Sequence, residues 1–123
     1  MKESFEELVN IQKRLRKECP WDKKQTFETI KNTLKEEVDE VIEAIEKKDH
    51  KNLKEELGDL MINLVFLVNI AEEKKLFTFK EVLQGTIEKL IRRHPHIFGE
   101  AKADTPEEVL KIWKEAKEAE KND

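Results

Sequence analysis

The chain has 123 residues, which favours one domain over residues 1–123, and its 42% charged residues, three Gly and three Pro predict an all-α fold. A net charge of −4 argues against a nucleic acid polymer as partner, because such binding relies on basic residues that neutralise phosphates. The N-terminal MKESFEELV lacks the apolar core of a signal peptide and no apolar run approaches the ~18 residues of a membrane span, so we expect a cytoplasmic protein without a membrane partner.

The first predicted helix covers residues 4–18, where apolar residues recur at helical spacing. Ser4 and Glu7 form the pattern of a capping box at its start. The helix should end before Cys19, because Pro20 disfavours helical backbone geometry at the residue before it. As the single cysteine, Cys19 excludes an internal disulfide and fits a reducing compartment.

A loop is predicted over residues 19–26, with the sequence CPWDKKQT, and it carries Trp21. Two interpretations of this side chain stay open. Trp21 either plugs one end of the helical bundle or offers a stacking platform to a nucleotide base.

The next two predicted helices repeat one sequence pattern. LKEEVDEVIEAI begins at Leu34, and LKEELGDLMINL begins at Leu53, 19 residues later. We expect one helix over residues 26–47 and the other from about residue 50 to about residue 75. Only KKDHK separates them, so the two helices should run antiparallel.

Both copies of the pattern place two acidic residues at the edge of an apolar stripe. At ~100° per residue, Glu37 and Glu40 lie on one flank of the stripe in the first copy. Glu56 and Asp59 occupy the same flank in the second copy, together with Asn63. Antiparallel pairing about the short connection would bring the two acidic pairs level.

Four facing carboxylates of this kind point to a metal site. Partly desolvated carboxylates repel one another and raise one another's pKa values unless a cation lies between them. Oxygen ligands suit hard ions such as Mg²⁺, with Mn²⁺ as a substitute. The alternative is a solvated charged face, since 28 of the 123 residues are acidic and such pairs arise by chance.

The segment from Leu60 to Ala71 is apolar at every position except Asn63 and Asn69. A helix that is apolar all round is buried all round. A bundle of four to five helices is too small to cover this segment, so we predict that homodimerisation completes the bundle.

A fourth predicted helix opens at a capping box formed by Thr78 and Glu81. It ends in a basic cluster of Lys89, Arg92 and Arg93. These cations either offset the dipole of the helix C-terminus or bind phosphate, since Arg grips phosphate oxygens bidentately.

The last predicted helix starts at Thr105 as N-cap, with Pro106 at the first helical position and Glu108 closing a capping box. Trp113 and Lys117 are four residues apart and share a face. That face either stacks a base and holds a phosphate, or it combines a core Trp with a solvated Lys.

Several segments together resemble the MazG family of nucleoside triphosphate pyrophosphohydrolases. They run in order from Cys19 to Lys117 and comprise CPWDKKQT, LKEEVDEVIEAI, LKEELGDLMINLVF, KLIRRHPHIFGEA and the Trp113 and Lys117 pair. The resemblance implies Mg²⁺-dependent hydrolysis of nucleoside triphosphates to nucleoside monophosphate and pyrophosphate, with house-cleaning of modified nucleotides as a biological role. It also implies homodimers or dimers of dimers. The best-known members carry two such domains in tandem, whereas this chain carries one.

The resemblance also assigns roles to individual residues. It implies that the catalytic, Mg²⁺-binding carboxylates are Glu37, Glu40, Glu56 and Asp59. It implies that the nucleotide is held by Lys89, Arg93, Trp113 and Lys117, with Trp21 as a further base contact.

Two other classes of protein compete with this interpretation. A non-enzymatic dimeric interaction module would use the same helices and leave the acidic flank solvated. A di-iron carboxylate bundle requires Glu-x-x-His on two helices, and no His stands three residues after a Glu.

Overall fold

The computed structural model describes residues 1–121. Over these residues the chain forms seven helices and no strand, which confirms the predicted all-α class. The helices are α1 (Lys2–Glu18), α2 (Pro20–Lys24), α3 (Phe27–Glu46), α4 (His50–Glu73), α5 (Phe79–Arg93), α6 (Pro95–Phe98) and α7 (Pro106–Lys121). The chain divides into two compact units, Met1–Phe79 and a second unit that begins at Lys80.

Two helix starts in the N-terminal part of the chain differ from the predictions, and the short helix α6 was not predicted. α1 begins at Lys2, and the Phe5 amide donates to the Met1 carbonyl, so Ser4 lies inside the helix and the predicted Ser4 cap is wrong. The predicted loop over residues 19–26 contains the short helix α2, because Pro20 at its first position already has a helical φ and has no N–H to satisfy.

α3 and α4 pack against each other as a hairpin, as the short connection between them predicts. Lys48 adopts a φ of 55° between them, and the Asp49 amide donates to the Ala44 carbonyl, which closes the end of α3. The Asp49 side chain then accepts a hydrogen bond from the Asn52 amide and caps α4. One tight reversal therefore sets the register between the two helices.

The core of the first unit consists of Ile30, Phe66 and Ile70, with Phe27 and Leu67 packed against them. α1 is held on α4 by buried Gln12, whose side-chain amide donates to the Ile62 carbonyl over 2.9 Å. Salt bridges from Lys13 to Glu72 and from Arg16 to Glu73 tie the same two helices.

The apolar segment of α4 is only partly covered in the single chain. Val65, Ile70 and Ala71 are buried, but Met61 is 41% exposed and Leu64 is 45% exposed. Burial on every side would need a further surface, and the homodimer stays a prediction.

In the second unit, α7 starts as predicted in all but one detail. The Thr105 hydroxyl accepts a hydrogen bond from the Glu108 amide, while the Glu108 carboxylate accepts one from the Asp104 amide and not from Thr105. Within residues 1–121, no helix combines the length and apolar character that a membrane crossing requires.

Candidate functional site

An acidic cluster forms where α3 faces α4. Glu37 of α3 and Glu56 and Asp59 of α4 each offer one carboxylate oxygen, and these three oxygens lie within 4.8 Å of one another. The cluster arises from the repeated sequence, because residues three apart on one helix share a flank and the hairpin sets the two flanks face to face.

Glu40 is the fourth member of this acidic cluster, at its exposed edge. A hydrogen bond with Glu56 is the largest cause of a raised pKa at Glu40, followed by the charge of Glu56, by partial desolvation and by the charge of Asp59. The four predicted carboxylates therefore interact with one another electrostatically.

Glu56 is the most buried member, with 8% of its surface exposed. Its hydrogen bond with Glu40 lowers the pKa of Glu56, but burial and the neighbouring Glu37 carboxylate outweigh this effect, so the net shift is upward. Burial and like charge both disfavour the ionised cluster, as expected for a site in which positive charge is missing.

Two oxygens of the acidic cluster have no hydrogen-bond partner. Oε2 of Glu37 and Oε2 of Glu56 are both buried and unpaired within the part of the chain that the structure describes. An unpaired buried carboxylate oxygen is costly, and hard cations coordinate such oxygens directly. The donor set therefore fits a metal ion of the Mg²⁺ or Mn²⁺ type.

The acidic cluster borders a cavity of about 270 Å³ in the first unit, which we call the hairpin cavity. Its lining combines Glu37 and Asp59 with the aromatic rings of Trp21 and Phe66. The remaining lining residues are Asp22, Ile30, Thr33, Ile62 and Asn63. A single cavity thus brings carboxylates and aromatic faces together.

Trp21 is 57% exposed and is not a buried plug. Its ring meets Phe66 edge to face, with centroids 6.3 Å apart and planes at 87°. Gln25 donates to the Trp21 carbonyl over 2.8 Å, and Arg16 donates to the carbonyls of Asp22 and Gln25. These contacts fix α2 and hold the indole at the cavity, where more than half of the Trp21 surface is exposed.

The second unit contains the other predicted binding residues. Arg93 makes a bidentate contact with Glu120, at 3.3 and 2.8 Å, and Arg92 bonds the same carboxylate at 2.6 Å. The Arg93 guanidinium also lies 5.2 Å from the centroid of the half-buried Trp113 ring. Lys89 is half-buried on α5 and Lys117 is exposed on α7.

His94 and Glu120 complete the surroundings of Trp113 and Arg93. The His94 ring lies 5.2 Å from the Trp113 ring at 76°, an edge-to-face contact. Sequence reasoning missed Glu120, although it follows Trp113 by seven residues, a spacing that places both on one face of α7. It also missed Asp22, Thr33 and Phe66 at the hairpin cavity, because α3 and α4 bring them together with α2 only after folding.

The Glu120 ion pairs predict a pH-dependent contribution to stability. Hydrogen bonds from Arg93 and Arg92 lower the pKa of Glu120 to about 2, so this contribution is present above the unfolded pKa near 4.5 and is lost as the pH falls toward 2. We expect Glu120→Gln to lower the melting temperature by a few degrees at pH 7 and by less at pH 3. Glu118→Gln, which removes only an exposed pair with Lys121, is the control, and equal shifts at both pH values would contradict the assignment.

Fold and site define an all-α protein with a carboxylate cluster able to hold a metal ion beside an aromatic-lined cavity. The chain belongs to the MazG nucleotide pyrophosphohydrolase domain family, whose model matches residues 25–98. That segment includes the whole acidic cluster as well as Lys89 and Arg93.

Relatives and a solved structure agree with this membership. The chain is 48% identical to the nucleoside triphosphate pyrophosphohydrolase/pyrophosphatase MazG of Thermotoga maritima, over 95% of this chain and 45% of that protein. It is 41% identical to a nucleoside triphosphate pyrophosphohydrolase of Escherichia coli K12, over 95% of this chain and 46% of that protein. The chain thus spans about half the length of these two relatives.

A mazG-related protein from Thermotoga maritima has a similar structure, with a TM-score of 0.81 and 36% identity. The similarity covers 92% of this chain and 98% of that chain. The all-α fold described above is therefore shared with that protein.

Proposed function

We propose that the chain hydrolyses nucleoside triphosphates to nucleoside monophosphate and pyrophosphate with the help of Mg²⁺. The observation that carries this proposal is the hairpin cavity, where Glu37 and Asp59 line the same space as the exposed Trp21. The carboxylates would bind the metal ion that accompanies a triphosphate, and the aromatic ring would stack on the base. The names of the two relatives as nucleoside triphosphate pyrophosphohydrolases support the same reaction.

The proposed Mg²⁺ ligands are the four carboxylates of the acidic cluster, Glu37, Glu40, Glu56 and Asp59. When bound, Mg²⁺ supplies positive charge that polarises phosphate oxygens and offsets the charge that develops on the leaving group. Mn²⁺ accepts the same ligands and is expected to substitute.

The protein's own groups perform the other tasks of the reaction. Water attacks the α-phosphorus, the bond to the bridging oxygen of the β-phosphate breaks, and a carboxylate of the acidic cluster accepts the proton of the water. Lys89, Arg93 and Lys117 are proposed to bind phosphate oxygens, and Trp113 is proposed to contact the nucleotide. Arg93 can use its fork for phosphate only if Glu120 releases it, because Glu120 occupies both the Nε and Nη2 atoms.

Homodimers or dimers of dimers belong to the same proposal. Exposed apolar residues form a stripe on each helix of the hairpin, and we name the two stripes together the hairpin stripe. Its members are Val38, Ile42 and Ile45 on α3, and Leu57, Met61 and Leu64 on α4. A second copy that covers this stripe would remove about half of each side chain from water.

The proposal places the protein in the cytoplasm, where nucleoside triphosphates are made and used, with no nucleic acid polymer or membrane as partner. House-cleaning of modified nucleotides is the biological role that we attach to it. A non-enzymatic dimeric interaction module is the alternative, and it would need the hairpin stripe but not the acidic cluster.

Pyrophosphate release tests the proposal. The protein is incubated with a mixture of standard, deoxy and oxidised nucleoside triphosphates, with Mg²⁺ in one sample and EDTA in the other. We expect pyrophosphate and nucleoside monophosphates in equal amounts, with Mg²⁺ only. Orthophosphate in place of pyrophosphate would contradict the site of cleavage, and no release at high protein concentration would favour the interaction module.

Trp21 gives a prediction for substrate binding. Stacking of a base on an aromatic ring is worth about 1–3 kcal/mol, so Trp21→Ala should raise KM roughly 5- to 100-fold, whereas Trp21→Phe should retain most of the affinity. Steady-state kinetics with one nucleotide separates the two variants. Equal KM values for the Ala and Phe variants would show that the ring does not stack on the base.

A further inference from the structure

We infer that the hairpin cavity selects bases that carry an exocyclic amino group, and that Asp22 is the residue that distinguishes them from bases with an oxo group at the same position. The inference rests on the proposed function, since it assumes that the cavity receives the base of a nucleotide. It names a class of substrate within that function: triphosphates of adenine, cytosine and guanine, and of their oxidised forms that keep the amino group, over those of hypoxanthine, uracil and xanthine.

The charged groups that line the hairpin cavity are all hydrogen-bond acceptors when ionised. They are the carboxylates of Asp22, Glu37 and Asp59, and no Lys or Arg of residues 1–121 lines the cavity. Glu37 and Asp59 are assigned to the metal. Asp22 is thus the one charged lining residue left for the base in the described part of the cavity.

Asp22 is available for this contact. It is half-buried, and its carboxylate forms no hydrogen bond or ion pair with any of residues 1–121. Its backbone carbonyl accepts hydrogen bonds from Arg16 and from the Gln25 amide, so the residue is held in place by its main chain. Asp22 and Trp21 both line the hairpin cavity, so the carboxylate and the proposed stacking ring border the same space.

Asn63 adds a second acceptor to the cavity. It is 5% exposed, and its amide nitrogen donates to the Asp59 carbonyl over 2.9 Å. That bond fixes which way the amide points, since the reverse orientation would set two oxygens against each other. The Asn63 oxygen is therefore directed away from its own helix carbonyl.

The uncharged hydrogen-bond donors at the cavity do not offset its excess of acceptors. The Thr33 hydroxyl donates to the Thr29 carbonyl of its own helix at 3.4 Å. The indole N–H of Trp21 lies in the plane of its ring, so a base stacked on the ring face does not meet it. A carboxylate attracts an amino group through a charge-assisted hydrogen bond and repels the lone pairs of an oxo group.

Matched pairs of substrates test the inference. ATP and ITP, CTP and UTP, and GTP and XTP each differ by an amino group replaced with an oxo group. We expect kcat/KM to favour the amino member by about tenfold or more, because the Asp22 carboxylate bonds the amino group but meets the lone pairs of the oxo group at the same position. Asp22→Asn should reduce this ratio to about twofold or less, because an amide donates as well as accepts.

Asp39→Asn is the control variant, since Asp39 is an exposed acid on α3 outside the cavity, and it should keep the wild-type ratio. Equilibrium binding of each nucleotide is measured in parallel with Ca²⁺ in place of Mg²⁺, so that the result does not depend on turnover. If the amino member of each pair binds more tightly but neither nucleotide is hydrolysed, the result supports the inference and contradicts the proposed reaction.

Two results would overturn the inference alone. One is equal or reversed ratios within all three pairs, in hydrolysis and in binding, while pyrophosphate is still released; this leaves the proposed reaction intact. The other is an unchanged ratio in Asp22→Asn, which removes Asp22 from the selection. Absence of both hydrolysis and binding overturns the inference together with the proposed function.

Discussion

Glu56→Gln is expected to abolish pyrophosphate release and to raise the melting temperature of the protein in EDTA. Activity should fall on the order of a hundredfold or more, because Glu56 is the most buried of the four proposed ligands and charge stabilisation by the metal is worth several kcal/mol. Stability without metal should rise, since one of the mutually repelling charges disappears and the amide can still bond the Glu40 and Glu37 carboxylates. Loss of activity and gain of stability would come from one substitution.

Calorimetric or fluorescence melting with and without Mg²⁺ measures the expected change in stability. Mg²⁺ should raise the melting temperature of the wild type, because it binds the folded state, and should raise that of Glu56→Gln much less. Glu55→Gln removes the same charge from an exposed position on the same helix and is the control. A variant that is less stable than the wild type in EDTA, and equally stabilised by Mg²⁺, would show that the acidic cluster is not a metal site.

The acidic cluster is the part of the site that the sequence makes visible. Glu37, Glu40, Glu56 and Asp59 follow from two local rules, the spacing of residues on a helix and the antiparallel pairing of helices across a short connection. Both rules act over a few residues. They place the four carboxylates together without knowledge of the rest of the chain.

The aromatic part of the site depends on contacts that no local pattern encodes. Trp21 was predicted on a loop, but Pro20 starts a short helix, and Arg16 then anchors that helix through the carbonyls of Asp22 and Gln25. Arg16 lies on α1, and the bonded carbonyls are backbone atoms, so the amino acids at those positions carry no signal of the contact. The hairpin cavity could therefore be described only from the folded structure.

The basic cluster shows a different limit of sequence analysis. Lys89, Arg92 and Arg93 were interpreted either as dipole partners or as phosphate ligands, and the structure adds a third role for the two arginines, the ion pairs with Glu120. α7 carries many acidic residues, and the sequence does not indicate which of them faces α5. Packing between helices selected Glu120, through a rotation of α7 that its own amphipathic pattern leaves open.

Met61→Lys is expected to convert the proposed dimer to a monomer and to reduce activity with it. Met61 lies at the middle of the α4 part of the hairpin stripe, and 41% of it is exposed in the single chain. A lysine at the centre of an apolar interface would have to bury its ammonium group without a partner, which makes association less favourable by several kcal/mol. Sedimentation equilibrium over a range of protein concentrations, together with pyrophosphate release at each concentration, measures both effects.

Glu55→Lys is the control for this substitution, because it makes a larger change of charge on the exposed face of the same helix and should leave the dimer intact. If the hairpin stripe is the interface, the dissociation constant rises by orders of magnitude for Met61→Lys alone, and activity falls most at low concentration. A Met61→Lys protein that remains dimeric would place the interface elsewhere. If the wild-type chain is monomeric at all concentrations, the hairpin stripe is not covered by a second copy, and the prediction of homodimerisation is wrong.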